Sequence, residues 1–525
     1  MNMFQGKTVG EHLDSFNRII SAVRKYATKA NQSLTFRKLR PELRRNRHRR
    51  NYTAAENHRL LKDWPTTGGT ADAEIYSALR PLRIRSRHLA KNNDYAKRFF
   101  NLLKTNVVGP KGIGLQARAK NDRGELDESD NNHLENEWRN WGKKGVCTVD
   151  GKLSLVDCQK LFMETVARDG EAVVRKIRNW PGNRFKFALQ FIEPDFLDHE
   201  LNKTLPNGNT IRLGVEFNQW RQPVAYHFKK QSAALNIFSE SANVYDRHER
   251  IPAGDIIHEF IVDRIGQSRG VPWLHTAGKR LHMLGGYEEA EVVAARTAAA
   301  KMGFFKSDTG EEYVGDEEDP EDTTQAPVMN AEPGTFEELP AGMDFVKWDP
   351  DHPTSAFEAF VLAILRGAAA GLNVSYVSLA NDLRGVSYSS IRQGALDERD
   401  GWRTLQGWLV EHFLADIWEN WLTMGLTSGA LNLPPRKFDK FNSVIWQPRG
   451  WQWVDPKKDG DANERDVVNG FRSPQIIAGE QGHDLIEVYE QIAAAKELAE
   501  KYGLQLGIFN GGKNEQKIIA EIDHD

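Results

Sequence analysis

The chain of 525 residues is 40% hydrophobic and 27% charged, which is long enough for about three domains with substantial cores. It has no run of about 18 apolar residues, and its N-terminal stretch MNMFQGKTVGEHLDSF lacks the apolar region of a signal peptide, so we expect neither membrane insertion nor export. The formal net charge of −3 is unevenly spread, because residues 36–50 are strongly basic and residues 308–322 strongly acidic. We expect both segments to be solvated. The basic one could meet nucleic acid or an acidic partner, and the acidic one a basic partner.

The two cysteines predict neither a disulfide framework nor a zinc site. The spacing of Cys147 and Cys158 matches no metal-ligand pair, and the chain has no further cysteine. We therefore expect a reducing, cytosolic compartment.

The N-terminal part begins with a basic arm and continues as a helix. Residues 1–70 are rich in Arg and end in the turn-forming sequence PTTGGT at 65–70. Residues 71–108 have helical apolar spacing, and Gly109 is the predicted stop. The core candidates of this helical segment are Ile84, Leu89, Phe99, Leu102 and Leu103.

A strand-rich body is predicted for residues 110–262. Its β-like runs are EAVVRKI, FKFALQFI, IRLGVEF and PVAYHF, separated by Gly, Pro and Asn turns.

Two long helices flanking an acidic excursion are predicted next. Pro272 can occupy the first position of a helix that reaches about residue 300, because proline is welcome there. Residues 303–352 change abruptly to Gly, Pro and acidic residues, which is typical of an exposed segment. The returning helix shows capping-box spacing at Ser355 and Glu358, with Gly371 as a plausible end.

The hydroxyl groups of the YSS sequence at 388–390 could be catalytic, or they could cap the start of a helix. No G-x-S-x-G turn surrounds Ser387, Ser389 or Ser390, as many nucleophilic serines require. Ser390 and Gln393 have capping-box spacing, so we predict that Ser390 caps a helix.

Beyond this cap, apolar residues recur every three or four positions and predict one buried helical face. They are Trp402, Leu405, Leu409, Phe413, Ile417 and Trp421. Residues 458–508 are predicted to be mostly helical.

Three motifs of enzymes are incomplete. Gly6-Lys7-Thr8 has only the tail of a phosphate-binding loop, and His258-Glu259 lacks the second histidine of a zinc protease, so a structural histidine is favoured. Asp195, Asp198 and Glu200 could hold a hydrated Mg²⁺ for nuclease chemistry, but no acid-x-Lys pair follows in a strand. A polar turn explains these acids, and we predict no catalytic residues, metal or cofactor.

Five blocks of sequence, in order along the chain, resemble the portal proteins of tailed bacteriophages, lambda family. They lie at 83–119, 191–198 (FIEPDFLD), 256–274 (IIHEFIVDRIGQSRGVPWL), 351–406 and 453–473. Two departures are visible: Ser387 stands where the family usually shows Asn before Tyr-Ser-Ser, and the loop VVGPKGIG is longer than usual. The Ser387 departure questions any special role of that position.

The resemblance implies a mixed α/β (α+β) portal fold. Its segments would be a basic N-terminal arm (1–70), an α/β wing (71–270), a first stem helix (271–302), a clip (303–352), a second stem helix (353–372), a tunnel loop (373–389), a long wing helix (390–425) and a helical C-terminal crown (426–525).

The resemblance further implies a ring of identical subunits, typically twelve, at one capsid vertex of the virion, assembled in the bacterial cytoplasm. Double-stranded DNA would pass through it without sequence preference for packaging and ejection. Its partners would be the terminase large subunit, the major capsid and scaffold proteins, and the head–tail connector proteins.

Few cations are expected in such a channel, because each neutralised phosphate adds affinity that would slow translocation. The candidates for transient DNA contact are Lys279, Arg280, Arg296, Arg384 and Arg392. An ion pair with a neighbouring subunit is the alternative for each. The candidate clip residues facing terminase or connector proteins are Glu311, Glu312, Asp316, Glu317 and Glu318.

Two other functions remain open on the sequence. The chain could be a minor capsid or scaffold-interacting protein that forms no channel. The two interpretations differ in symmetry, because a portal closes into a cyclic ring and a capsid-binding protein need not. A packaging nuclease would rest on Asp195, Asp198 and Glu200 alone.

Overall fold

The computed structural model describes residues 17–18, 20–22, 24–25, 59, 62–230, 248–299, 303–307, 343–347, 357–385, 387–451, 456–481, 483 and 485–504. The chain divides into two units, residues 1–68 and 69–525. In the first unit the described residues between 17 and 25 are helical. Most of the predicted basic arm lies outside the described residues.

The second unit opens with two capped helices, α1 (Ala71–Asn92) and α2 (Asp94–Leu103). The side chain of Thr70 accepts from Ala73 N at 3.3 Å, and that of Asn93 from Ala96 N at 2.9 Å, so each helix has a satisfied N-terminus. A π-helical turn, Lys104–Val108, follows α2. The chain then leaves the helix at Gly109 with φ 77°, which confirms the predicted stop.

The strand-rich body is confirmed, and all four sheets in the described part of the chain are antiparallel. The strands are β1 (Gly114–Ala117), β2 (Ala172–Arg178), β3 (Phe187–Ile192), β4 (Lys203–Thr204), β5 (Thr210–Arg212), β6 (Val215–Phe217), β7 (Pro223–Lys229), β8 (His248–Pro252), β9 (Ile256–Glu259), β10 (Gly303–Ser307), β11 (Met343–Lys347) and β12 (Val444–Gln447). The sheet orders are β3-β2-β9, β4-β5-β6-β7-β8, β10-β11 and β1-β12. The run IRLGVEF forms two strands, because Leu213 and Gly214 both have positive φ and turn the chain between them.

Helices α3 (Glu128–Trp141) and α4 (Leu155–Asp169) pack against this body. Ser154 begins α4 with a complete capping box, since its hydroxyl accepts from Asp157 N and the Asp157 carboxylate accepts from Ser154 N.

A pair of antiparallel helices leads to a two-stranded sheet. Helix α5 (Gly278–Ala299) begins after a short 3-10 turn at Trp273–His275, so the helix predicted from Pro272 starts later than expected. It precedes β10, and the partner strand β11 precedes α6 (Phe357–Gly371). The predicted cap Ser355 and the rest of the excursion lie outside the described residues.

A second long helix packs against the body. After the short α7 (Tyr376–Ala380), α8 (Tyr388–Leu409) continues through a π-helical turn at Val410–Leu414 into α9 (Ala415–Thr427). The predicted buried face is confirmed, because Trp402, Leu409, Phe413, Ile417 and Trp421 are all buried and Leu405 packs on the same core.

The C-terminal part is helical as predicted. It contains α10 (Phe438–Phe441), α11 (Pro456–Val468), α12 (Pro474–Glu480) and α13 (Leu485–Lys501). β12 pairs with β1, so the polypeptide returns to the body before these last three helices.

The main core is centred on tryptophan rings. Trp138 packs on Trp141, Trp418 and Trp421 with ring centroids 4.9 to 5.3 Å apart, which joins α3 to α9. Of the predicted core residues in α1 and α2, Leu89, Phe99, Leu102 and Leu103 are buried. The prediction for Ile84 is wrong, because its side chain is 57% exposed while the neighbouring Arg83 is buried in its place.

Candidate functional site: the helix pair and the loop that follows it

Helices α5 and α6 are held together along their length by direct contacts. Near the start of α5, the Thr276 hydroxyl donates to Gly371 O at 2.9 Å and Arg280 Nη1 donates to Gly367 O at 3.1 Å. Further along, Tyr287 packs on Phe357 and Phe360 with ring centroids 5.7 and 5.2 Å apart. These contacts fix the two helices as an antiparallel hairpin.

Three of the candidate DNA-contacting cations lie on α5, and all three are exposed. Arg280 is held against the backbone of α6, whereas Lys279 and Arg296 present their side chains to solvent. Glu288, on the same helix, accepts a 3.2 Å hydrogen bond from the Tyr95 hydroxyl of α2. Burial raises the pKa of Glu288, so this side chain keeps its proton to a higher pH than an exposed glutamate does.

The short helix α7 after α6 is fixed to α8 through a carboxylate. Ser375 caps α7 by accepting from Ser378 N at 3.1 Å. Glu398 of α8 accepts from the hydroxyls of both serines, at 3.0 and 2.7 Å. Arg98 of α2 donates to Ser378 O at 3.1 Å. Side chains from two other helices therefore position the start of the 373–389 segment.

Arg384 is paired inside its own subunit. Its Nε donates to Asp382 Oδ1 at 3.0 Å, and its Nη1 lies 3.0 Å from Glu358 Oε1 of α6. Hydrogen bonds from Arg384 hold the pKa of Asp382 well below its usual range. Leu383, between the two, is 63% exposed. The alternative of an ion pair was predicted between subunits, but this ion pair forms within one chain.

The serine that begins α8 is Ser387, so the prediction of Ser390 as the cap is wrong. The Ser387 hydroxyl accepts from Ser390 N at 3.2 Å, one turn earlier than the sequence spacing indicated. Asn, which the family usually shows here, is an equally good cap, so the departure preserves this local function. On the next turn of α8, Arg392 forms a 2.8 Å ion pair with Asp459 of α11.

A buried polar network, which the sequence did not reveal, lies between α1, the start of β2 and the segment before α5. Glu171 accepts from Arg269, Arg83 and His258, and also from Gly270 N at 3.0 Å. Burial by itself would raise the pKa of Glu171, but Arg269 and Arg83 hold that pKa well below its usual range. The network confirms the structural role predicted for His258. Arg83 shares the buried face of α1 with Ile75, Leu79 and Leu89, but a charged residue at that position gave no apolar signal in the sequence.

Two glycines allow the segment before α5 to approach this network. A Cβ atom on Gly270 would lie 2.0 Å from Gly170 O, and one on Gly170, where φ is 91°, would lie 2.5 Å from the Val271 carbonyl carbon. Side chains at either position are incompatible with this close backbone crossing.

The acidic residues at 195–200 do not form one group. Asp195 pairs with Arg87 and Arg83, whereas Asp198 pairs with His248 at 2.7 Å and Lys229 at 3.1 Å. Glu200 is exposed. In the described part of the chain, no cluster of three or more His, Cys, Asp or Glu residues could hold a metal ion.

Cys147 and Cys158 are free thiols, and both are buried. No helix among the described residues is long and apolar enough to cross a membrane. The acidic candidates Glu311, Glu312, Asp316, Glu317 and Glu318 lie outside the described residues.

Comparison with known proteins gives a consistent set of similarities. Residues 57–406 match the family model described as phage portal protein, lambda family. The probable portal protein of Halomonas phage phiHAP-1 is 38% identical over 447 residues, covering 85% of this chain and 86% of that protein. Portal protein B of Escherichia phage lambda is 20% identical over 488 residues, covering 82% and 86%.

Solved structures give weaker similarities. The neck of an empty gene transfer agent particle, computed with C6 symmetry, has a chain with TM-score 0.41 and 13% identity, covering 77% of this chain and 94% of that chain. The neck of the native particle, computed with C12 symmetry, has a chain with TM-score 0.37 and 11% identity, covering 80% and 95%.

Proposed function

The chain belongs to the lambda family of phage portal proteins, and from this membership we propose that its copies close into a ring, typically of twelve, at one capsid vertex. The ring would be the channel through which double-stranded DNA is packaged and later ejected. In this proposal the protein is a structural component of the virion, assembled in the host cytoplasm, and has no catalytic residues of its own.

The observation that carries the proposal is the helix pair α5 and α6 with its uncovered apolar side chains. Leu281 and Leu284 of α5 are buried, yet Met283, Val292 and Val293 of the same helix are 65%, 59% and 54% exposed. Phe360 of α6 is 48% exposed. Such side chains are costly to leave in water, and a subunit of a cyclic ring has a neighbour on each side that can cover them.

The charges near the helix pair fit a channel that guides DNA without holding it. Arg384 is compensated by Asp382 and Glu358, and Arg392 by Asp459. Compensated arginines neutralise fewer phosphates, so they add less salt-dependent affinity to passing DNA. We propose that Arg384 touches the DNA transiently, with Lys279, Arg280, Arg296 and Arg392 as further candidates.

Each proposed partner is assigned to one of the predicted segments of the chain. The acidic segment containing Glu311, Glu312, Asp316, Glu317 and Glu318 would form the clip that meets the terminase large subunit and the connector proteins. Residues 71–270 and 390–425 would form the wing, which meets the major capsid and scaffold proteins.

The direct functional test is in vitro packaging in an extract of the phage that lacks this protein. Adding the purified chain should restore DNA that is protected from nuclease inside heads. A restored head count with no protected DNA would contradict a role in DNA passage. The matched control is the same extract supplied with heat-denatured protein.

A further inference from the structure

A cleft lies between α8, the segment after β12 and α12. It has a volume of about 510 Å³, within the usual range for ligand sites. Its lining includes Arg403, Gln406, Trp446, Arg449, Trp451 and Ile476. One wall is tightly packed, because a Cβ on Gly450 would lie 2.0 Å from Glu480 O.

Three guanidinium groups surround the ring of Trp451, which lines this cleft. Those of Arg399, Arg403 and Arg449 lie 5.8, 5.7 and 5.7 Å from the ring centroid of Trp451. The Trp451 Nε1 in turn donates to Asn106 Oδ1 at 3.1 Å, which fixes the ring. One aromatic ring thus gathers three positive charges, each favoured by its π face.

The carboxylates around the cleft form ion pairs with arginines other than Arg449. Asp400 pairs with Arg403 at 2.7 Å, Asp459 with Arg392 at 2.8 Å, and Glu480 with Arg472. Arg449 donates to the neutral carbonyls of Thr105 and Gly450, and in the described part of the chain no carboxylate forms an ion pair with it.

The arginines are destabilised by their surroundings. Burial lowers the pKa of Arg449. Burial also lowers the pKa of Arg399, the positive charges of Arg403 and Arg449 lower it further, and the negative charge of Asp459 partly opposes them. An anion in the cleft would offset both effects, since it returns a counter-charge to groups that have lost part of their hydration.

We propose that this cleft binds a phosphate group of the DNA backbone through Arg403 and Arg449. The proposal rests on the proposed function for the choice of DNA as the source of the phosphate, and it concerns residues of the proposed wing and crown rather than the channel through which DNA passes. Guanidinium groups present a fork of N–H donors that matches phosphate oxygens, and paired arginines suit a group with several charged oxygens. Free inorganic phosphate shares this chemistry and is the other possible source.

The test uses the full-length chain and two probes, pyrophosphate in calorimetry and a 30-base-pair duplex in fluorescence anisotropy at several salt concentrations. The variants are Arg403→Gln and Arg449→Gln, and the matched control is Arg436→Gln, an exposed arginine of the 435–437 turn. Because Arg449 also holds the Thr105 carbonyl, thermal melting checks that each variant is folded. Arg403, which is 54% exposed, keeps the test valid if the Arg449 variant fails to fold.

We expect the affinity for pyrophosphate to fall at least about tenfold in the two cleft variants, because each loses a charged hydrogen bond. The affinity of the control should be unchanged. The slope of duplex affinity against salt should fall by about 1. Weakened pyrophosphate binding with unchanged duplex binding would overturn DNA as the source and leave a free-phosphate site. Pyrophosphate binding that is absent, or equal in all four proteins, would overturn the site itself.

Electron micrographs of the same preparations separate this proposal from the proposed function. If the protein forms rings but the variants bind phosphate as the unaltered protein does, only the proposal for the cleft is contradicted. Phosphate binding that requires Arg403, in a protein that never forms rings, would count against the portal role and leave the phosphate site standing.

Discussion

Arg269 and Glu171 form an ion pair in which both side chains are fully buried. Arg269 Nε lies 2.8 and 2.9 Å from the two carboxylate oxygens, and the pair connects the segment before α5 to the start of β2. Arg269 Nη1 also donates to Leu197 O and Leu213 O, at 3.1 and 2.7 Å. The Arg269 side chain thereby connects the proposed wing to the segment that precedes the helix pair.

Removing the charge of Glu171 should be strongly destabilising. Glu171→Gln keeps the size of the side chain but leaves Arg269 buried without its ion-pair partner and Arg83 with only the half-exposed Asp195, so we expect a loss of about 3 to 5 kcal/mol in the free energy of unfolding. Urea denaturation at fixed protein concentration measures it. The control Glu249→Gln removes the exposed ion pair with Arg175 and should cost less than about 1 kcal/mol. Equal losses in the two variants would contradict the importance of burial.

A second carboxylate should make stability depend on acid. Hydrogen bonds from Arg250 lower the pKa of Glu216 to about 2, helped by Asn209 and His227. Since the folded pKa lies below the unfolded value, the stabilisation is present above about pH 4.5 and is lost as pH falls towards 2. Glu216→Gln should flatten this part of the curve of unfolding free energy against pH. An unchanged curve would show that other carboxylates cause the acid sensitivity.

The comparison of α1 with its sequence shows where periodicity is informative and where it fails. The spacing placed Leu89, Phe99, Leu102 and Leu103 inside correctly, because apolar burial repeats with the helical turn. It placed Ile84 inside wrongly, since the buried position is taken by Arg83, whose partner Glu171 is 88 residues away. Pairings between distant residues leave no periodic signal, so neither this network nor the arginines around Trp451 could be predicted.

The start of α8 shows a similar limit at short range. The capping-box spacing of Ser390 and Gln393 predicted a cap at Ser390. In the structure the backbone becomes helical earlier, and Ser387 is the cap. The long helix itself, its buried face and its tryptophans were predicted correctly. The π-helical turn at Val410–Leu414 was not, because it depends on how α8 and α9 pack on the body.

Loss of the Ser387 cap should loosen the first turn of α8. Ser387→Ala removes the acceptor for Ser390 N, and a lost N-cap costs about 1 kcal/mol, or about fivefold faster local hydrogen exchange of the first helical amides. Ser387→Asn should restore protection, and Ser389→Ala is the matched control in the same turn. Faster exchange in Ser389→Ala alone would contradict the assignment of the cap.

Arg384 tests the proposed contact with DNA. Arg384→Ala removes a cation that is 75% exposed and bridges Asp382 and Glu358, so rings should assemble while the DNA content of filled heads changes. Nuclease-protected DNA per head is the measurement. Arg264→Ala, which removes an exposed ion pair with Glu74 of α1, is the control. Unchanged DNA content in the Arg384 variant would count against this role.

The central claim is that the chain closes into a ring around a channel. Negative-stain electron microscopy of the purified full-length protein, with particle classes sorted by rotational symmetry, tests it most directly. We expect rings, typically of twelve subunits, with a central hole of at least about 20 Å, which is wide enough for duplex DNA to pass. Monomers alone, even with scaffold and capsid proteins present, would contradict it and favour a capsid-binding protein without a channel.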